Sequence, residues 1–208
     1  MQLGRRALDT FDWGRAEKLF AEMKLYDVWQ TPTLSMWQRA YELDREYLYS
    51  NPELKRIPKA IRSSWGEVPS DPPPAPTEET PLTTRQYSLY QQIVRRMQDD
   101  GVSLLAGTDT GDPWSYPGLE LHEELELLVK AGLTPLAALR TATTNAARFL
   151  EADDSLGRIA PGFVADMVLL DGNPLDDIRN TRRIAAVFAA GTYFPKSKLN
   201  AMVAAMDR

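Results

Sequence analysis

Residues 102–109, VSLLAGTD, restrict the fold more than any other stretch of the chain. A short apolar run closed by a turn signal is expected of a strand buried on both faces, with its carboxyl end opening onto a site. Such a strand needs helices around it, and the flanking sequence supplies them. Upstream, Tyr90, Ile93, Val94 and Met97 form one stripe of a helix over about 84–99, and Gly101 is placed to end it. Downstream, Leu121, Leu125, Leu128 and Val129 share a face of a helix over about 118–131, with Gly132 just past its end. Thr134 followed by Pro135 starts a further helix, expected to run to about Leu150. Nearer the start, Asp12 can cap a helix over 12–25 whose stripe is Ala16, Leu19, Phe20 and Met23. A β-rich run follows at 28–34, in which Pro32 suits an edge or bulged strand, and then a helix over 35–49. Strands alternating with helices predict an α/β protein with a parallel sheet.

The texture changes after residue 151. Residues 157–162 read as a turn, 165–170 and 184–188 as strands, and 171–174 and 191–192 as turns. The expected organisation is therefore an α/β part over 1–150, a small β unit over 151–195, and a tail over 196–208 that can form a short helix. Six prolines in 68–81 make that stretch an extended surface loop, either an excursion or a lid. Charge and hydropathy exclude several functions. A net charge of −5 with scattered Lys and Arg argues against nucleic-acid binding. No apolar run approaches the length of a membrane span, and the first residues do not resemble a secretory leader, so the default compartment is the cytoplasm. With no cysteine, disulfides, thiolate metal sites and cysteine nucleophiles are excluded. One count bears directly on chemistry: His122 is the single histidine among 208 residues.

Several blocks, in fixed order, resemble one family. They are WQTPTLSMW (29–37), LLAGTDT (104–110), LHEELELLVKAGLTPLAALRTATTNAARFL (121–150), LGRIAPGFVADMVLLDGNPLDDI (156–178) and AAVFAAGTYF (185–194). Together they resemble the C-terminal part of the metal-dependent amidohydrolase superfamily, nearest its imidazolonepropionase-like branch with the prolidase-like hydrolases. The resemblance implies a partial (β/α)8 TIM barrel, with 28–34 as strand 7 and 102–109 as strand 8, and a C-terminal β-sandwich remnant. It also implies a hydrolase that attacks C–N bonds of small amides or cyclic amides with metal-activated water. The divalent metal, zinc by analogy, would be held by a His-x-His pair, a Lys or Glu, two later histidines and a strand-8 aspartate.

Only the last of these ligands has a counterpart. Asp109 matches the strand-8 aspartate, which binds metal and shuttles the proton of the attacking water. The plainer reading of Asp109 is a cap for the turn after a strand. His122 matches a position near the pocket mouth, suited to a substrate contact or a structural hydrogen bond. A metal site made from His122 with Asp109, Asp112 or Glu123 would need a hard ion with oxygen ligands. By itself the chain is expected to bind no metal and to be inactive. Three explanations compete: a fragment of a longer hydrolase, a non-catalytic remnant serving as an interaction or structural protein, or one chain of a split enzyme completed by a partner. Asp166 is read as structural, and Asn145 and Arg148 as anchors of their helix to the β unit. Trp29 and Trp114 suit either a core or a pocket rim. Unpaired strand edges lead to an expectation of marginal stability and self-association.

Overall fold

A computed structural model describes residues 2–41, 54, 57–65, 80–111 and 115–206. Most of the Pro-rich stretch, together with Asp112 and Trp114, lies outside the described residues. The chain opens with α1 (Gln2–Asp9) and α2 (Trp13–Leu25). The Asp12 carboxylate accepts the Arg15 amide at 3.1 Å, the N-cap expected from sequence. Helices α3 (Leu34–Tyr41), α4 (Lys59–Ser64) and α5 (Thr80–Asp100) follow, and α1, α2 and α3 all pack on α5. Helix α5 takes up the last two residues of the expected loop, because Pro81 sits in a first turn that requires no N–H from it. At its other end Gly101 turns to φ +80. Its amide bonds Gln98 O at 3.2 Å and that of Val102 bonds Met97 O at 2.9 Å, a terminator that glycine enters without a Cβ penalty.

The two segments expected as strands meet in parallel. The Gln30 amide donates to Ser103 O and the Leu105 amide to Gln30 O, both at 2.9 Å, forming a bridge between Gln30 and Leu104. The pairing is one bridge long, not two full strands over 28–34 and 102–109. Pro32 has no N–H to donate, and Thr33 turns to φ +49, so the first segment leaves the extended region early. On the second, the Ala106 amide goes to Thr141 O at 3.2 Å instead of a neighbouring strand.

Helix α6 (Leu119–Lys130) packs against α3 and α5, and its end repeats the same pattern: Gly132 N bonds Val129 O and Leu133 N bonds Leu128 O. The single helix expected from 134 to 150 is two, α7 (Pro135–Thr141) and α8 (Thr144–Phe149). Thr134 caps α7 through the Ala137 amide, as expected. The break falls where Thr143 leaves helical geometry (φ −131, ψ −94). Hydroxyls of Thr141 and Thr143 bond back to Ala138 O and Leu139 O there, competing with the helix ladder. Leu34, Tyr87, Val94, Leu104 and Leu128 form the centre of the core. The buried face of α6 carries Leu127, whereas Leu121 is exposed.

The β unit is a three-stranded antiparallel sheet in the order β1 (Met167–Leu170), β2 (Ile184–Ala189), β3 (Thr192–Pro195). Val168 pairs with Val187, which pairs with Phe194. Ala190 and Gly191, both at positive φ, make the tight hairpin turn. A 3-10 helix (Ile178–Arg182) precedes β2 and buries Ile178 in the main core; α9 (Lys196–Met206) packs on β2 and β3. Val168, Leu169 and Tyr193 are each more than half exposed, so apolar sheet surface remains uncovered among the described residues.

Candidate functional site

The segment from Leu104 leaves the bridge and runs through Gly107 to Asp109. Gly107 lies against the neighbouring segment: a Cβ there would come within 2.4 Å of Thr31 Cγ2. Asp109 then adopts φ +53, a left-handed conformation that costs a non-glycine residue about 1 kcal/mol and often marks a functional position. Its side chain is exposed, and no hydrogen bond or ion pair involves it among the described residues. The residues on either side are tied down. The Thr110 hydroxyl donates to Glu120 Oε2 at 2.9 Å, so the 2.5 Å contact between the Thr108 and Thr110 hydroxyls has Thr108 as donor.

Glu120 belongs to a buried acidic pair on α6. Both Glu120 and Glu124 are fully inaccessible. Arg39, from α3, donates to Glu120 Oε1 at 2.5 Å. Glu124 receives the amides of Leu34 (3.0 Å) and Ser35 (2.7 Å), the first turn of α3. Thr33 at φ +49 aims those two amides at the carboxylate, where the positive end of the helix favours an anion. Burial outweighs these bonds and pushes the Glu124 carboxyl up to about 7. Sequence reasoning did not single out this pair. The signal was the spacing: Glu120 and Glu124 share a stripe with Leu127 and Leu128 at i, i+4, i+7 and i+8.

His122, from the same helix, faces the other way. Its Nδ1 lies 3.0 Å from Thr181 Oγ1, and the Thr181 hydroxyl donates to Ile178 O at 2.9 Å. With that proton committed, Nδ1 carries the imidazole hydrogen and Nε2 keeps a lone pair. Burial and then the nearby Arg182 lower the pKa of His122, against a smaller opposing effect of Glu126. The ring is therefore neutral at pH 7. Arg182 is itself held by Glu126 at 2.6 Å and Glu123 at 3.9 Å, and burial raises the pKa of Glu123. His122 lines a half-open cavity of about 790 Å3, together with Thr110, Ile61, Trp65, Tyr116 and Met202. Thr110 and His122 thus share one cavity, while Asp109 stands outside its lining.

The other residues considered from sequence are structural. Asp166 accepts the Ala190 amide at 2.6 Å and holds the hairpin turn. Asn145 donates to Leu104 O at 2.9 Å, so it anchors α8 to the bridged segment and not to the β unit. Arg148 lies over the Trp29 ring and pairs with Asp27. Trp29 also meets Phe149 edge-on and is not part of the cavity.

These features accompany a clear kinship. The sequence profile of the amidohydrolase family matches residues 90–193, half of the chain, and the chain belongs to that family. Ochratoxinase from Aspergillus niger is 35% identical over 138 residues, covering 64% of this chain and 25% of that protein. Imidazolonepropionase from Deinococcus deserti is 35% identical over 116 residues, 54% of this chain and 29% of its own length. The chain thus spans between a quarter and a third of these curated relatives. In fold it is similar to bottromycin amidohydrolase, with a TM-score of 0.66 at 22% identity, covering 86% of this chain and 40% of that one. Among the described residues, no helix is long and apolar enough to cross a membrane.

Members of this family generally use divalent metals, so the donor set matters. Among the described residues no group of three or more His, Cys, Asp or Glu side chains is placed to hold a metal ion. The one imidazole has its Nδ1 bonded to Thr181, and the full sequence offers no thiolate. A catalytic zinc needs three protein ligands, mostly imidazoles. The described residues of this chain do not fit that ion by themselves.

Proposed function

We propose that this chain is the C-terminal portion of a metal-dependent hydrolase that breaks C–N bonds of small amides or cyclic amides. The histidines that hold the metal, zinc by analogy with the family, belong to sequence outside these 208 residues, in the same longer polypeptide or in a companion chain. Asp109 is the contribution of this chain to the reaction. Its carboxylate takes a proton from the attacking water and returns it to the leaving nitrogen. The observation that carries this reading is the parallel bridge between Gln30 and Leu104, whose second segment ends on Asp109. Catalytic groups of (β/α)8 barrels occupy such carboxyl ends. The left-handed backbone and exposed, unbonded side chain of Asp109 support the same role. His122 serves as a substrate contact on the adjoining cavity.

The first test is to read the DNA in frame ahead of residue 1 and in the neighbouring genes. A His-x-His pair and two further histidine motifs are expected in one of those places; their absence from both overturns the proposal. In the complete or reconstituted enzyme, Asp109→Asn is expected to lower kcat by roughly 100-fold or more, the usual scale for loss of an acid–base group. Unchanged turnover by that variant contradicts the assigned role.

A further inference from the structure

The cavity beside α6 has a chemical character of its own. Its volume of about 790 Å3 falls within the range of roughly 300–1,000 Å3 typical of small-molecule sites. Ile61 and Trp65 of the α4 region, Tyr116 just ahead of α6, Leu119 at its start, Val187 of β2 and Met202 of α9 make it largely apolar. Its cations are already occupied. Arg182 is bound to Glu126 and Glu123, and Lys196 Nζ donates to Ile184 O at 2.8 Å. An anionic ligand therefore gains little there.

The position of His122 is different. Thr181 fixes its tautomer, burial keeps it uncharged, and Nε2 has no bond among the described residues. An acceptor of known tautomer on an apolar wall selects for a donor attached to an apolar body. We propose that this cavity binds small neutral molecules in which an aryl or bulky alkyl group adjoins an amide N–H, with His122 Nε2 accepting the amide hydrogen. The choice of an amide over another donor rests on the proposed hydrolase function; the acceptor and its tautomer do not. No proton transfer is assigned to His122, because a neutral ring with its hydrogen on Nδ1 and a fixed partner is built to orient.

Because His122 is the only histidine, its ring nitrogens can be read without assignment in histidine-labelled protein by 15N NMR. The test uses the 208-residue chain at pH 7.5 with two probes of nearly equal shape, N-methylbenzamide and methyl benzoate, which differ by an N–H in place of an ester oxygen. The free chain is expected to show protonated Nδ1 and bare Nε2. N-Methylbenzamide should move the Nε2 resonance saturably, and methyl benzoate should leave it in place and bind roughly three- to tenfold more weakly, the scale of one hydrogen bond. His122→Phe should keep the melting temperature and abolish the preference for the amide. Three results would overturn the proposal: a proton on Nε2 in the free chain, equal response to both probes, or binding of neither. The readout needs neither metal nor turnover, so such a failure would leave the assignment of Asp109 and the hydrolase reading untouched.

Discussion

The acidic residues of two neighbouring regions are treated in opposite ways. Beneath α3, Glu120 and Glu124 are sealed from solvent and every acceptor oxygen has a donor from this chain: Arg39, Thr110, and the amides of Leu34 and Ser35. A few residues away, at the end of the bridged segment, Asp109 is exposed, bears a left-handed backbone, and has no protein partner among the described residues. The chain completes its structural acids itself. It turns the backbone of the third acid into the left-handed region and leaves its side chain open. Burial with a full set of donors is the mark of a carboxylate that holds a fold together. An exposed carboxylate without a donor adds little to the fold, and under the proposed function it is the one free to act.

The contrast can be broken first at Arg39. Removing it strands Glu120 as a buried, uncompensated charge, and Arg39→Ala should cost about 3–5 kcal/mol in denaturant unfolding. A loss within experimental error would mean that the pair is not sealed. Gly107→Ala comes next, since the added methyl meets Thr31 Cγ2; about 1–3 kcal/mol of destabilisation is expected, measured the same way. Titration of Glu124 sharpens the comparison further. Its pKa is raised from 4.5 to about 7, so the folded state binds the proton more tightly than the unfolded state. The stability contributed by that protonation is full below pH 4.5 and is lost as pH rises to about 7, by about 3 kcal/mol. Glu124→Gln should lack this slope, and melting curves across that pH range check it. The smallest effect is predicted at the open acid. Asp109→Asn should change stability by less than about 0.5 kcal/mol, because asparagine tolerates the same backbone conformation and no bond is lost.

What could be read from sequence was local. Asp12 and Thr134 cap their helices and Gly101 and Gly132 end theirs, because caps and terminators depend on bonds between residues a few positions apart. The parallel arrangement of 28–34 and 102–109 was legible as apolar pattern, but its length was not. That length depends on where Thr33 turns and on Thr141 capturing the Ala106 amide, which are tertiary facts. The helix break at Thr143 is local instead: the hydroxyls of Thr141 and Thr143 bond back to carbonyls of their own turn, a competition that the apolar pattern does not reveal. Asp109 and His122 were found through family resemblance. Glu120 and Glu124 were hidden because charged residues on a helix ordinarily face water, and only Arg39 and the amides of α3 explain their burial.

The central claim is that this chain carries one acid of a metal centre and not the imidazoles that would complete it. Equilibrium dialysis of the purified 208-residue chain against zinc tests it most directly, with bound metal measured per polypeptide. No stoichiometric zinc is expected at micromolar free ion, and no change on Asp109→Asn. One tightly held zinc per chain, released by that substitution, would contradict it.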